Sequence, residues 1–171
     1  MKEAPSILVA GVGNILRGDD GFGVVAAQRL MLRTDLPPNV KVIETGIGGM
    51  SLVHELMDGY DALILLDAVQ HGGKPGRLYL LEPQLPDIAA LDAHERRDYF
   101  ADTHYATPNR ALALLSAVAS LPPVVRVIGC EVESFEEFTI GLNPTVEAAA
   151  DRAVNMALEL LADLRIELET R

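Results

Sequence analysis

The strongest constraint on the fold is a set of short apolar runs that alternate with helical patterns. Residues 6–11 (SILVAG), 61–67 (DALILLD) and 124–129 (VVRVIG) are apolar through most of their length. Glycine, proline or charged residues bound them. Short apolar runs of this kind are typical of strands that are buried on both faces. The sequence therefore predicts that these three segments lie inside a sheet covered by other elements.

The stretches between the runs predict the remaining elements. Apolar side chains at helical spacing predict four helices, at 20–33, 49–57, 108–121 and from Pro144 to the end. Two further strands are expected, at 40–44 and, as an edge strand or hairpin arm, at 77–81. This alternation predicts an α/β three-layer sandwich, in which a twisted, mostly parallel sheet carries helices on both faces. Residues 1–171 are expected to form one domain.

Composition and charge exclude several classes of function. The net charge is −11 and the pI is about 4.7, which disfavours binding to nucleic acid or to anionic membranes. The single cysteine, Cys130, allows no intramolecular disulfide and suits a reducing compartment. No apolar stretch reaches the ~18 residues of a membrane span, and the short N-terminal run does not fit a signal peptide. We therefore expect a soluble, cytoplasmic protein.

Three acids follow or close predicted strands. They are Asp20, Glu44 and Asp67, and open α/β sheets bind their ligands beyond the carboxyl ends of the strands. His71 and His104 are the histidines best placed to join them. One imidazole with two carboxylates would suit a borderline divalent metal such as nickel or zinc, with coordination positions left open.

Each of these residues also has an ordinary structural interpretation. Asp19 and Asp20 precede a predicted helix, where acids are common caps. Asp67 could end its strand in a turn, and Glu44 could be solvated. Cys130 fits a small buried side chain. The loop GVGNIL lacks the third glycine of a dinucleotide-binding fingerprint, because Leu16 stands there.

Five segments in order resemble the nickel–iron hydrogenase maturation endopeptidases. The first is GVGNILRGDDGFG, from Gly11 to Gly23, with its glycine–x–glycine–asparagine turn and acidic pair. VIETGIGGMSLVHEL, DALILLDAVQHGGKPGRLYLLEP, DTHYATPNRALALL and VIGCEVESFEEFTIGLNPTVEAAAD follow. The likeness covers nearly the whole chain. It departs from the family where tyrosine and alanine, rather than glycine and leucine, follow His104.

The resemblance implies a function and a set of site residues. The family's metal ligands correspond to Asp20, Asp67 and His104, with Asp20 rather than Asp19 as the ligand of the acidic pair. It implies an endopeptidase that removes the C-terminal tail of a hydrogenase large-subunit precursor. The nickel is carried by that substrate, other divalent ions could replace it in vitro, and the enzyme is expected to be a monomer.

Two other hypotheses use the same residues. Asp20 and Asp67 could act on water as an acid–base pair, as in aspartic peptidases. The protein could instead be a non-catalytic nickel-binding accessory protein or chaperone for hydrogenase assembly. Metal dependence separates the first of these from the endopeptidase, and cleavage of a precursor separates the second.

Overall fold

A computed structural model of the chain describes residues 4–46, 50–84, 90–95, 97, 112–113, 116, 121–134 and 138–170. The strands are β1 (Ile7–Val12), β2 (Val40–Gly46), β3 (Ala62–Val69), β4 (Leu78–Leu81) and β5 (Val124–Glu131). The helices are α1 (Phe22–Met31), α2 (Met50–Leu56) and α3 (Pro144–Glu169), and a 3₁₀ turn (Gly18–Gly21) precedes α1. The predicted helix at 108–121 falls mostly outside the described residues.

The five strands form one sheet in the order β2-β1-β3-β5-β4. β2, β1, β3 and β5 run parallel, and β4 pairs antiparallel with β5 at the edge. The central strands β1 and β3 are almost entirely buried, as their apolar runs predicted. The predicted mostly parallel sheet is confirmed, and so is the edge position of the strand at 77–81.

Two apolar clusters cover the two faces of the sheet. On one face, α1 and α3 pack over the side chains of Ile7, Val9, Ile64, Leu66 and Ile128. On the other, Leu52 and Leu56 of α2, together with Leu112, pack over Leu8, Leu63, Leu65 and Val127. The predicted arrangement of helices on both faces is confirmed. None of the helices in the described part of the chain combines the length and apolarity needed to cross a membrane.

Glycine lets α1 approach the sheet very closely. A Cβ atom at Gly23 would lie 2.0 Å from the carbonyl oxygen of Leu66 and 2.3 Å from that of Val12. A Cβ atom at Gly11 would in turn lie 2.2 Å from the carbonyl oxygen of Gly23. The first turn of α1 therefore rests directly on the backbones of β1 and β3. This contact places the 3₁₀ turn that precedes α1 at the carboxyl ends of both strands.

Four predicted boundaries were wrong. β3 continues past Asp67 to Val69, because Asp67, Ala68 and Val69 all pair with β5, and β5 itself runs to Glu131. β2 similarly extends to Gly46. The helix predicted from Asp20 begins instead at Phe22, since the Asp20 N–H bonds the carbonyl of Arg17 three residues back, in a 3₁₀ turn.

Replacing Gly23 by alanine tests the close contact of α1 with the sheet. In a helix interior this change normally stabilises by about 1 kcal/mol. Here we expect it to lower the free energy of unfolding by about 3 kcal/mol or more, because backbone atoms must move apart. Urea denaturation measures the difference.

Gly59→Ala is the matched control. No atom lies within 4 Å of a Cβ there, and φ is +83°. Only the left-handed backbone should then cost free energy, about 1–2 kcal/mol. A Gly23→Ala protein as stable as the wild type would contradict this packing.

Candidate functional site

Asp20 lies in the 3₁₀ turn at the carboxyl end of β1. Its Oδ2 accepts a hydrogen bond from the backbone N–H of Asn14 at 3.1 Å, and the residue is half-buried. Burial raises the pKa of Asp20, although the Asn14 N–H and the charge of Arg17 oppose the rise. The carboxylate is therefore partly desolvated and keeps an acceptor, Oδ1, that the turn does not use.

Asp67 lies in β3 and is buried, with 3% of its surface exposed. Its Oδ1 accepts from the backbone N–H of Ala68 at 2.8 Å, whereas its Oδ2 is buried and has no hydrogen-bond partner among the described residues. The pKa of Asp67 is raised well above its ordinary value, first by burial and then by the charge of Asp20, and only the Ala68 N–H opposes this. A buried carboxylate oxygen without a partner is costly and calls for an explanation.

The two carboxylates occupy one site, since each lies at the same edge of the sheet and the charge of Asp20 acts on Asp67. A cation between them would offset the repulsion between the two carboxylates and give Oδ2 of Asp67 a partner. Within the described residues, no group of three or more His, Cys, Asp or Glu could hold a metal ion. The third predicted ligand, His104, lies outside the described residues. Two carboxylates with a free oxygen fit a borderline or hard divalent ion, and an imidazole would complete the predicted set.

The structure separates the roles of the two neighbouring acids, Asp19 and Asp20. The Oδ1 of Asp19 accepts from the backbone N–H of Asn143 at 2.6 Å, so this carboxylate joins the β1 loop to the start of α3. Neither acid caps α1, whose N-cap residue is Gly21 and has no side-chain cap. The capping interpretation was therefore wrong for both residues.

The other candidate ligands are used elsewhere or unsuited to a metal. Glu44 accepts from the Gln28 side chain of α1 at 2.6 Å. The ring of His71 packs edge-on against that of Tyr79, with 5.4 Å between the centroids. Cys130 is buried, as predicted, and burial raises the pKa of its thiol to about 12, which disfavours the thiolate that a metal would need.

An apolar surface adjoins Asp20. Four large apolar side chains lie more than half exposed on two loops: Ile15, Leu16, Phe138 and Ile140. The loops are held together, because the Gly18 N–H bonds the carbonyl of Thr139 at 2.6 Å and the Arg17 guanidinium lies over the Phe138 ring at 5.4 Å. Exposed apolar side chains grouped beside charged groups are typical of a surface that binds another chain.

Sequence reasoning missed one buried acid, Glu131. It is 2% exposed at the end of β5, and its carboxylate accepts from the backbone N–H groups of His71 and Gly72 at 2.9–3.0 Å. Burial raises the pKa of Glu131, but hydrogen bonds from the His71 N–H, the Tyr79 hydroxyl and nearby glycine N–H groups outweigh it, so the net pKa is lowered. The available signal was the continuation of the β5 run beyond Gly129.

Comparison with known proteins bears on what this site does. A family model described as hydrogenase maturation protease matches residues 24–160, a span that holds Asp67 and starts just after Asp20. The hydrogenase 2 maturation protease of Escherichia coli is 33% identical over 162 residues, which cover 94% of this chain and 93% of that protein. The hydrogenase expression/formation protein HoxM of Azotobacter vinelandii is 32% identical over 164 residues, covering 94% of this chain and 74% of HoxM.

A solved structure supports the same assignment. The hydrogenase maturating endopeptidase HybD from E. coli superposes with a TM-score of 0.71 and 31% sequence identity. The match covers 92% of this chain and 93% of that structure. The agreement of family model, relatives and fold has one consequence: this chain belongs to the hydrogenase maturation protease family.

Proposed function

We propose that the protein is an endopeptidase that removes the C-terminal tail of a nickel-loaded hydrogenase large-subunit precursor. Membership of the hydrogenase maturation protease family supports the reaction class. The nickel dependence is supported by the Oδ2 of Asp67, which is buried beside the charge of Asp20 and has no hydrogen-bond partner in the part of the chain that the structure describes. Such a pair suits a cation that arrives with the substrate.

In this proposal the nickel belongs to the substrate, and Asp20, Asp67 and His104 complete its coordination. The nickel supplies Lewis acidity toward the scissile carbonyl or a water molecule. The Ala68 N–H holds Oδ1 of Asp67, and the Asn14 N–H holds Oδ2 of Asp20, so each carboxylate keeps one oxygen for the ion. Recognition would thus depend on fixed side chains rather than on a loop that must reorganise.

The polypeptide of the precursor needs a surface beside these carboxylates. The exposed side chains of Ile15, Leu16, Phe138 and Ile140 offer one. The Asp19–Asn143 hydrogen bond ties the β1 loop to the chain that leads into α3. Because the two loops are joined, they can hold an extended segment of the precursor against the site together.

The non-catalytic accessory protein remains the alternative function, since nickel binding by the same residues would serve delivery equally well. The acid–base pair remains an alternative mechanism, because Asp67 has the raised pKa that such a pair needs. Precursor cleavage excludes the first alternative. Cleavage that requires nickel and has no acidic optimum excludes the second.

Intact-mass analysis of a nickel-loaded precursor incubated with the protein tests the proposal. Wild-type protein should release one discrete C-terminal fragment, and none from nickel-free precursor. Asp67→Asn should lower the rate at least about 100-fold, because a metal contact contributes several kcal/mol to the transition state.

Two further variants sharpen this test. Asp19→Asn should retain far more activity than Asp20→Asn, because Asp19 bonds Asn143 rather than facing the charge of Asp67. Asp35→Asn, which changes an exposed carboxylate paired with Arg33, should match the wild type. Cleavage of nickel-free and loaded precursor at equal rates would reject the nickel dependence, and no cleavage of a loaded precursor would favour the accessory protein.

Asp67→Asn should also stabilise the protein. The pKa of Asp67 is higher in the folded than in the unfolded protein. The protein is therefore most stable below the unfolded pKa, where the carboxyl is protonated in both states, and loses stability as the pH rises through the folded pKa. At pH 7 we therefore expect the free energy of unfolding of the variant to be about 1–3 kcal/mol higher than that of the wild type. The gap should narrow as the pH falls toward the ordinary pKa of aspartate.

Chemical denaturation at several pH values measures this gap. If the variant is more stable than the wild type but no longer cleaves the precursor, Asp67 serves function at the expense of stability. A variant that is less stable than the wild type at pH 7 would mean that the Asp67 carboxylate has a stabilising partner.

A further inference from the structure

A concave surface lies at the β4 edge of the sheet, outside the carboxylate site. It is a cleft of ≈ 560 Å³ lined by residues 72–77, the loop between β3 and β4, and by Arg152 of α3. Its charged lining residues are Lys74, Arg77 and Arg152, and none of the described residues that line it is acidic. The cleft is therefore a positively charged surface on a protein whose net charge is −11.

These three cations lack the ion pairs that several, though not all, of the other described basic residues make. Arg29, Arg33, Lys41 and Arg126 each contact a carboxylate. Across the described residues, no carboxylate lies within ion-pair distance of Lys74, Arg77 or Arg152. Arg77 lies over the Tyr79 ring at 5.2 Å, and Arg152 donates from Nη2 to the carbonyl of Gly76 at 2.6 Å. In an acidic protein, unpaired cations gathered around one cleft indicate an anionic ligand.

Glu131 fixes the loop that carries two of these cations. Its carboxylate accepts from the His71 and Gly72 N–H groups. Its backbone carbonyl accepts from the Gly76 N–H, and its N–H donates to the carbonyl of Arg77, both at 2.8 Å. The buried acid that the carboxylate site leaves unused therefore has a role, which is to hold the loop in one conformation. A ligand of the cleft would not have to pay for ordering it.

We propose that this cleft binds an acidic segment of the precursor polypeptide, at a distance from the scissile bond. Lysine and arginine donate several hydrogen bonds to carboxylates, and arginine can do so bidentately. The volume of this open cleft, ≈ 560 Å³, lies in the range of ligand-binding sites and is far larger than the ~30 Å³ that one water molecule occupies. That the partner is the precursor rests on the proposed function. That the cleft binds an acidic peptide does not.

An acidic segment bound here would contribute to affinity and association rather than to chemistry. Removing cations from the cleft should therefore weaken binding and its salt dependence. It should raise KM for the precursor while kcat stays unchanged.

Direct binding is measured by the fluorescence anisotropy of a labelled hexaglutamate peptide. Wild-type protein should bind it saturably at low salt, and Lys74→Ala/Arg77→Ala should weaken binding at least about 10-fold. Arg33→Ala/Lys41→Ala, which removes the same charge far from the cleft, should stay within about 2-fold of the wild type. Equal losses in both double variants, or no wild-type binding, would overturn the proposal. Lys74→Gln gives the same test with one exposed side chain changed.

Inorganic phosphate distinguishes a peptide site from a phosphate site. Displacement of the peptide by phosphate, but not by chloride of matched ionic strength, would assign the cleft to phosphate and overturn the proposal. Equal effects of both salts would support it.

The kinetics of precursor cleavage give a second, independent test. If the wild type cleaves it, Lys74→Ala/Arg77→Ala should show a raised KM and an unchanged kcat, and an unchanged KM would reject the cleft as a precursor site. If the wild type binds hexaglutamate but cleaves no loaded precursor, the proposed function fails while the acidic-peptide site stands.

Discussion

The contact between α1 and the backbones of β1 and β3 determines the rest of the site. Because Gly23 has no side chain, the helix begins directly over Leu66 and Val12. The 3₁₀ turn before the helix then carries Asp20 to the end of β1, next to Asp67 in β3. Two carboxylates that are 47 positions apart in the sequence become neighbours through one helix–sheet contact. The contact is repulsive at the carboxylates themselves, so apolar packing elsewhere must offset its cost.

Two acids are buried in the described part of the chain, and their environments are opposite in character. Glu131 receives hydrogen bonds from the loop above it, and its pKa is lowered although burial alone would raise it. From the described residues Asp67 receives one hydrogen bond, to Oδ1, and none to Oδ2, and its pKa is raised. The first acid stabilises local structure, whereas the second remains available to a ligand. Under the proposed function, this difference separates a structural carboxylate, Glu131, from a ligand-binding one, Asp67.

Much of this arrangement could be predicted from the sequence. The apolar runs at 61–67 and 124–129 located β3 and β5, but the ends of both strands were placed two residues too early. That error hid Glu131. A charged residue normally indicates that a buried strand has ended, so an acid inside β5 was not expected. The Asp19–Asn143 hydrogen bond joins residues 124 positions apart, and no local pattern predicts such a contact. The carboxylate pair itself followed from the rule that parallel strands end at one edge.

In the proposed function, the site is incomplete until a substrate brings nickel to it. Calorimetric titration of the isolated protein with nickel tests this most directly, with Asp67→Asn as the comparison. Two carboxylates and an imidazole without thiolates should bind nickel weakly, at micromolar affinity or weaker, and the variant should bind it more weakly still. Nanomolar binding by the isolated wild-type protein would rule out a substrate-borne nickel, because the nickel would then be a resident metal.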